Sequence, residues 1–152
     1  MKTRVIILDD NINSLLSSLS WFRPQEEQDK AIQELAKYQD EIINILISGT
    51  QKDQWHSVIR VVEQSNTEYQ YRAVPQMLLL LMDINSPGAK EAVEIMMKLD
   101  SVKLKPFIIE VLLRAEKEND TIWIAWIKYF LERKEIIDEY CEYKEILEKA
   151  EW

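Results

Sequence analysis

Four short stretches decide the fold: Ile32-Gln33-Glu34-Leu35, Ile59-Arg60-Val61-Val62, Val93-Glu94-Ile95-Met96 and Ile127-Lys128-Tyr129-Phe130. Each sets bulky apolar residues at i and i+3, a spacing that places side chains on one face of an α-helix. Successive stretches begin 27, 34 and 34 residues apart. A recurring unit of that length is the mark of paired helices that bury their inner faces against neighbouring pairs. The four stretches therefore read as the inner faces of four first helices.

Outward from them, Pro24 stands where a helix begins, since its missing N–H costs nothing in the first turn, and Glu26 and Glu27 complement the positive end of the helix. Ala31, Ile32 and Leu35 supply its stripe. A second member of this pair is expected from Asp40 to Ile47, ending at Gly49, a usual residue after a helix. Pro75 and Pro106 each precede apolar runs, Met77 to Leu81 and Phe107 to Leu113, and both are expected to start second helices. Upstream, Ile12, Leu15, Leu16 and Leu19 mark one short helix from Asp10. Val5 to Leu8 reads as a short strand or as an extended arm on the first helices. The expected fold is all-α, a HEAT-like α-solenoid of about four antiparallel helical pairs with a short N-terminal arm and helix. It forms one domain over residues 1–152. The alternative is an irregular helical bundle, whose amphipathic helices carry the same spacing.

Composition agrees with helices. Among 152 residues only 2 are Gly and 4 are Pro, while 47% are apolar and 30% charged, too few turn formers for a sandwich or barrel. Lys and Arg number 19 against 27 Asp and Glu, a formal net charge of -8 that repels phosphate backbones and anionic membranes. The expected partner is a basic protein or peptide, with neither nucleic acid nor membrane. Cys141 is the single cysteine and cannot form an internal disulfide. No run approaches the roughly 18 apolar residues of a membrane span. Val5 to Leu8 is shorter than the ~7–15 residues of a signal-peptide core. A soluble, cytoplasmic protein is expected.

The residues that could carry chemistry are few. His56 is the single histidine, and without a Cys or second His beside it no zinc site assembles. Asp83, Asn85, Gly88 and Glu94 match places 1, 3, 6 and 12 of a calcium loop, but Pro87 falls where place 5 wants a side-chain oxygen. That segment reads instead as a connection in which Pro87 opens a helix and Asp83, Asn85 or Ser86 accepts its free N–H groups. The acids from Glu132 to Glu148, interspersed with Lys134, Lys144 and Lys149, read as a solvated face. No metal and no cofactor are expected, and no catalytic residue. Five tryptophans remain, and tryptophan is enriched in binding hot spots. Trp55, Trp123 and Trp126 are the candidate binding residues. For Trp123 and Trp126, three apart on one helix, core and recognition groove are equal readings.

Leu19-Ser20-Trp21 with Pro24, Lys52-Asp53-Gln54-Trp55, Asp83-Ile84-Asn85-Ser86-Pro87-Gly88-Ala89 and Asp120-Thr121-Ile122-Trp123 together resemble an uncharacterised bacterial family of small HEAT-like helical domains. The resemblance covers most of the chain and departs at Ser86, Leu79 and Leu80, where the family carries a tryptophan and a Glu-Trp pair. It implies a helical-repeat fold and a binding role, since related small domains sit among immunity proteins of bacterial toxin systems. The function expected is a non-enzymatic module that presents an acidic, aromatic-containing surface to a protein or peptide. A narrower alternative is an immunity protein that neutralises a basic toxin. A HEAT-like DNA-repair glycosylase would need a basic groove, for which this sequence gives no sign.

Overall fold

A computed structural model describes residues 9–152, and among them every regular element is helical, with no strand. The arm expected at Val5 to Leu8 lies outside the described residues. In chain order the α-helices are α1 (Asp10–Ser17), α2 (Gln25–Leu35), α3 (Gln39–Ile42), α4 (Lys52–Glu63), α5 (Thr67–Arg72), α6 (Val74–Leu79), α7 (Ala89–Met97), α8 (Ser101–Lys117), α9 (Thr121–Arg133) and α10 (Lys144–Leu147). Tight 3-10 turns follow α2 at Ala36–Tyr38 and α6 at Leu80–Met82, and another precedes α10 at Ile137–Tyr143.

Local chemistry sets most boundaries. Asp9, Asn66, Asp100 and Asp120 each accept a backbone N–H of the helix they precede, satisfying donors that a first turn leaves free. At α4 the Gln54 side chain accepts the Gln51 N–H at 2.6 Å and donates to the Leu16 carbonyl at 2.7 Å, tying this helix to the end of α1. The helices α8 and α9 stop in the same way. Asn119 (φ 55°) and Glu135 (φ 62°) turn left-handed, and the next N–H in each case reaches back to Ala115 or to Leu131.

The eight apolar residues of the four stretches, Ile32, Leu35, Ile59, Val62, Val93, Met96, Ile127 and Phe130, are all buried in one continuous core. The helix α2 packs on α4, and α4 on α7; α6 packs on α8, and α8 on both α9 and α10. Polar ties cross between them at separations of 29 to 39 residues: Ser57 to Gln28, Arg60 to Asp29, Arg72 to Asp40, Arg133 to Glu94 and Lys149 to Glu116. The ion pairs among them are solvent-facing, so each adds little energy; what they report is which surfaces meet.

Three boundaries depart from the sequence reading. The partner expected over Asp40 to Ile47 is regular only to Ile42, after which the chain runs in turns to Gly49. The reason is Gln76, whose carboxamide oxygen accepts the N–H groups of Ile47 at 2.8 Å and Ser48 at 3.0 Å while its nitrogen donates to Asn44 at 3.0 Å. A side chain from another helix has taken over the local ladder. Pro106 does not start a helix but lies inside α8, because the Asp100 cap fixes the start more than a turn earlier and Leu104 and Ile108 already belong to the core. Its missing N–H leaves the carbonyl of Val102 without a helical partner, on a residue that is exposed. At the third site Pro87 precedes α7 rather than opening it, and no side chain caps that helix. Asp83 instead accepts the N–H of Asn85 at 2.9 Å, closing its own turn.

Two substitutions test these accounts with opposite signs. Pro106→Ala is expected to raise stability by about 1–3 kcal/mol, because the helix regains a hydrogen bond at an exposed site where nothing is lost from the core. Gln76→Ala is expected to lower it by about 1–3 kcal/mol, since the N–H groups of Ile47 and Ser48 lose their acceptor. Urea denaturation followed by circular dichroism reads both.

Candidate functional site

Between α7 and α9 the packing opens into a groove of about 570 Å³. Its floor and walls are apolar: Leu81, Ile84, Val93, Trp126, Tyr129, Phe130 and Trp152. Asn85, Lys90, Glu94 and Arg133 supply its polar groups, and Arg133 Nη2 donates to Glu94 Oε1 at 2.6 Å across the two helices. The Trp126 ring stands edge-to-face with Tyr129 at 5.8 Å and with Trp152 at 4.6 Å between centroids. Tyr129 and Trp152 are exposed, at 51% and 73%. Aromatic side chains of this kind leave water readily when a complementary surface arrives.

The walls are placed by the loop before α7 and by the cap of α9. Gly88 takes a left-handed φ of 84°, and a Cβ there would stand 2.9 Å from the Trp55 carbonyl oxygen and 3.0 Å from Ile59 Cγ1. Only glycine lets this loop rest on α4 and turn the chain into α7. Asp120 accepts the Trp123 N–H at 3.0 Å, which fixes the first turn of α9 and so the direction in which its aromatic residues project.

The three tryptophans singled out in the sequence part company. Trp126 is half-buried and lines the groove. Trp123 is wholly buried, and its indole N–H donates to the Leu78 carbonyl at 2.9 Å, so it belongs to the core and offers a partner no surface. Trp55 packs half-buried on the core away from the groove, its indole nitrogen without a hydrogen-bond partner among the described residues. Sequence reasoning missed Trp152, whose place depends on Glu151 donating its N–H to the Thr121 carbonyl at 3.2 Å, a contact no helical periodicity encodes. It also missed Trp21 and Phe22, which project from the α1–α2 loop with Phe22 81% exposed.

The remaining candidates occupy ordinary positions. His56 is exposed. Of the calcium-loop residues, Glu94 is paired with Arg133 and Asp83 is engaged in its own turn. Among the described residues no three His, Cys, Asp or Glu side chains gather where a metal could sit. The acids Glu132, Glu135, Asp138, Glu139, Glu142, Glu145 and Glu148 are all exposed, as a solvated face requires. No helix among the described residues is long and apolar enough to cross a membrane.

The fold moves a few titrations, each away from the groove. Burial pushes Tyr69 up to about 12 and raises Tyr140 further, and burial lowers Lys134, whose ammonium donates to the Met97 carbonyl at 2.6 Å. The hydrogen bond from Gln25, with that from Arg60, holds Asp29 below its ordinary value. Comparison of the chain with profiles of protein families, with curated proteins and with solved structures finds no match.

The division between Trp123 and Trp126 is directly measurable. Trp123→Phe is expected to cost about 2–4 kcal/mol, since the Leu78 carbonyl loses the indole N–H in a closed interior and a cavity opens beside it. Trp126→Phe, at the groove, is expected to cost under about 1 kcal/mol, because its ring is only partly covered and a smaller ring keeps much of the contact. Midpoints of urea denaturation compare the two.

Proposed function

We propose that the chain is a non-enzymatic protein-binding module, built of helical pairs stacked in a HEAT-like manner, that takes an apolar side chain of a protein or peptide into the groove between α7 and α9. One observation carries this reading: an aromatic-walled groove whose rims, Tyr129 and Trp152, remain exposed in a chain with a continuous core. Exposed apolar area rimmed by polar groups is what recognition sites present. The stacking is supported by polar ties between surfaces 29 to 39 residues apart and by the sequence of contacts α2 to α4 to α7. Within the stack α4 packs on α5, α5 on α6, and α9 on α10.

The partner is basic overall. A net charge of -8 attracts cationic proteins over a Debye length and slows anionic ones. Blocking a basic toxin, in the cytoplasm, is a narrower form of the same reading, resting on that charge and on the family resemblance.

Peptides selected from a random library on the immobilised chain test the reading. Those recovered are expected to carry a bulky apolar residue near Lys or Arg. Their affinity should fall about tenfold or more with Trp126→Ala, as for a hot-spot residue, and should weaken as salt rises. Selected peptides that bind Trp126→Ala and Tyr129→Ala as tightly as the unaltered chain would remove the groove from the function.

A further inference from the structure

The walls of the groove are not equivalent. Val93 and Phe130 are buried parts of the core, and Trp126 is half-buried on α9. Trp152 belongs to no helix and is 73% exposed, yet its ring lies 4.6 Å from that of Trp126 at an interplanar angle of 71°. The chain leading to it is secured as far as Ala150, which packs partly buried on the core, with Lys149 paired to Glu116 at 2.8 Å. Beyond that point the Glu151 N–H donates to the Thr121 carbonyl at 3.2 Å and the Trp152 ring meets Trp126 edge to face. A ring held by one backbone hydrogen bond and one edge-to-face contact, with most of its surface in water, is readily exchanged for one that buries more.

We propose that Trp152 is a tethered occupant of one place at the side of the groove, the edge-to-face position on Trp126, standing in for an aromatic side chain of the partner, tryptophan or tyrosine, which binds by displacing it. This deepens the binding reading above and rests on it. The recognition chemistry follows from what surrounds the ring. Trp126 and Tyr129 offer edge-to-face partners, and Ile84 and Val93 offer an apolar bed. Asn85, exposed at the lining, adds a carboxamide whose oxygen is of the kind that accepts an indole N–H or a phenol O–H. An aliphatic side chain would fill the bed but use neither the ring edges nor that acceptor. Trp152 at that place lowers the apparent affinity of the partner by the fraction of molecules in which the position on Trp126 is already taken. The occupant thus sets a threshold that only a better-fitting ring crosses.

Fluorine NMR of the full chain labelled with 5-fluorotryptophan tests this, with the Trp126 and Trp152 signals assigned by Trp126→Phe and Trp152→Phe. The probes are N-acetyl-tryptophanamide and, as an aliphatic control, N-acetyl-leucinamide. The tryptophan probe is expected to shift Trp126 and to move Trp152 towards the position of free fluorotryptophan, while the leucine probe does neither at equal concentration. Trp152→Ala, at an exposed position that leaves folding intact, should bind the probe several-fold tighter. Glu151→Pro, which removes the N–H donated to Thr121, should move in the same direction with the groove side chains untouched. A response of Trp126 without one of Trp152, or weaker binding by Trp152→Ala, would make Trp152 a fixed wall and overturn the proposal while leaving the groove as a binding site. Equal responses to both probes would overturn its aromatic selectivity. Silence of both tryptophans in all three proteins would remove the groove itself, and the occupant with it.

Discussion

The structure depends on one constraint: each helix carries an apolar stripe too wide to be covered by its own chain and must lay it against a neighbour. The stripes of α2, α4, α7 and α9 meet it through Ile32 and Leu35, Ile59 and Val62, Val93 and Met96, and Ile127 and Phe130, all buried. Covering them fixes which helices lie side by side and therefore which polar residues face one another. The ion pairs Asp29–Arg60 and Glu94–Arg133 both join such neighbouring helices, and being exposed they record the register rather than create it. The groove is a consequence of the same constraint. Between α7 and α9 the stripe residues Val93 and Phe130 face a space they do not close, and the aromatic side chains of α9 border it.

Much of the fold was legible in the sequence because burial follows a period of 3.6 residues. The stripes, the start of α2 after Pro24 and the short helix from Asp10 all follow from that period and from capping chemistry. What escaped reading was set by partners distant in the chain. Gln76 stands 29 residues beyond Ile47, whose N–H it accepts, so nothing within the expected helix Asp40 to Ile47 announces that its ladder will be interrupted. Pro106 failed as a start signal because Asp100, a stronger signal upstream, had already provided a cap, and a proline past the first turn is tolerated when the carbonyl it strands is on an exposed residue. The loop Asp83 to Gly88 was correctly read as a connection but wrongly as a cap. Its geometry answers to the close approach of Gly88 to Trp55 and Ile59, a contact invisible in a linear motif.

The site divides along the same line. That aromatic residues near position 125 matter was evident from composition and spacing, but a separation of three cannot say which ring faces inward. On a helix those positions differ by about 60°, enough to send Trp123 into the interior and leave Trp126 at the surface. The deciding feature is the end of α6, where the Leu78 carbonyl receives the Trp123 indole N–H. A buried indole needs an acceptor, and the ring that finds one becomes core. Trp152 lay beyond reach because its place depends on a backbone contact to Thr121 across the fold.

That division bears on what kind of activity the chain supports. Catalysis by proton transfer or nucleophilic attack draws on groups whose titration is shifted within a cleft. Here the shifted groups, Asp29, Tyr69, Lys134 and Tyr140, lie outside the groove lining, and burial, or for Asp29 its hydrogen bonds from Gln25 and Arg60, accounts for each. The groove offers ring edges, an apolar bed and one ion pair already satisfied between Glu94 and Arg133. In the proposed role its stabilisation of a ligand comes from water released and rings packed. On the proposed reading, binding energy of that kind serves to select a partner. In the proposed role the excess of acids acts at longer range, raising the encounter rate with cationic proteins before any ring meets Trp126. On that reading attraction at a distance falls to the acids spread over the chain, and aromatic fit at contact to the rings of the groove.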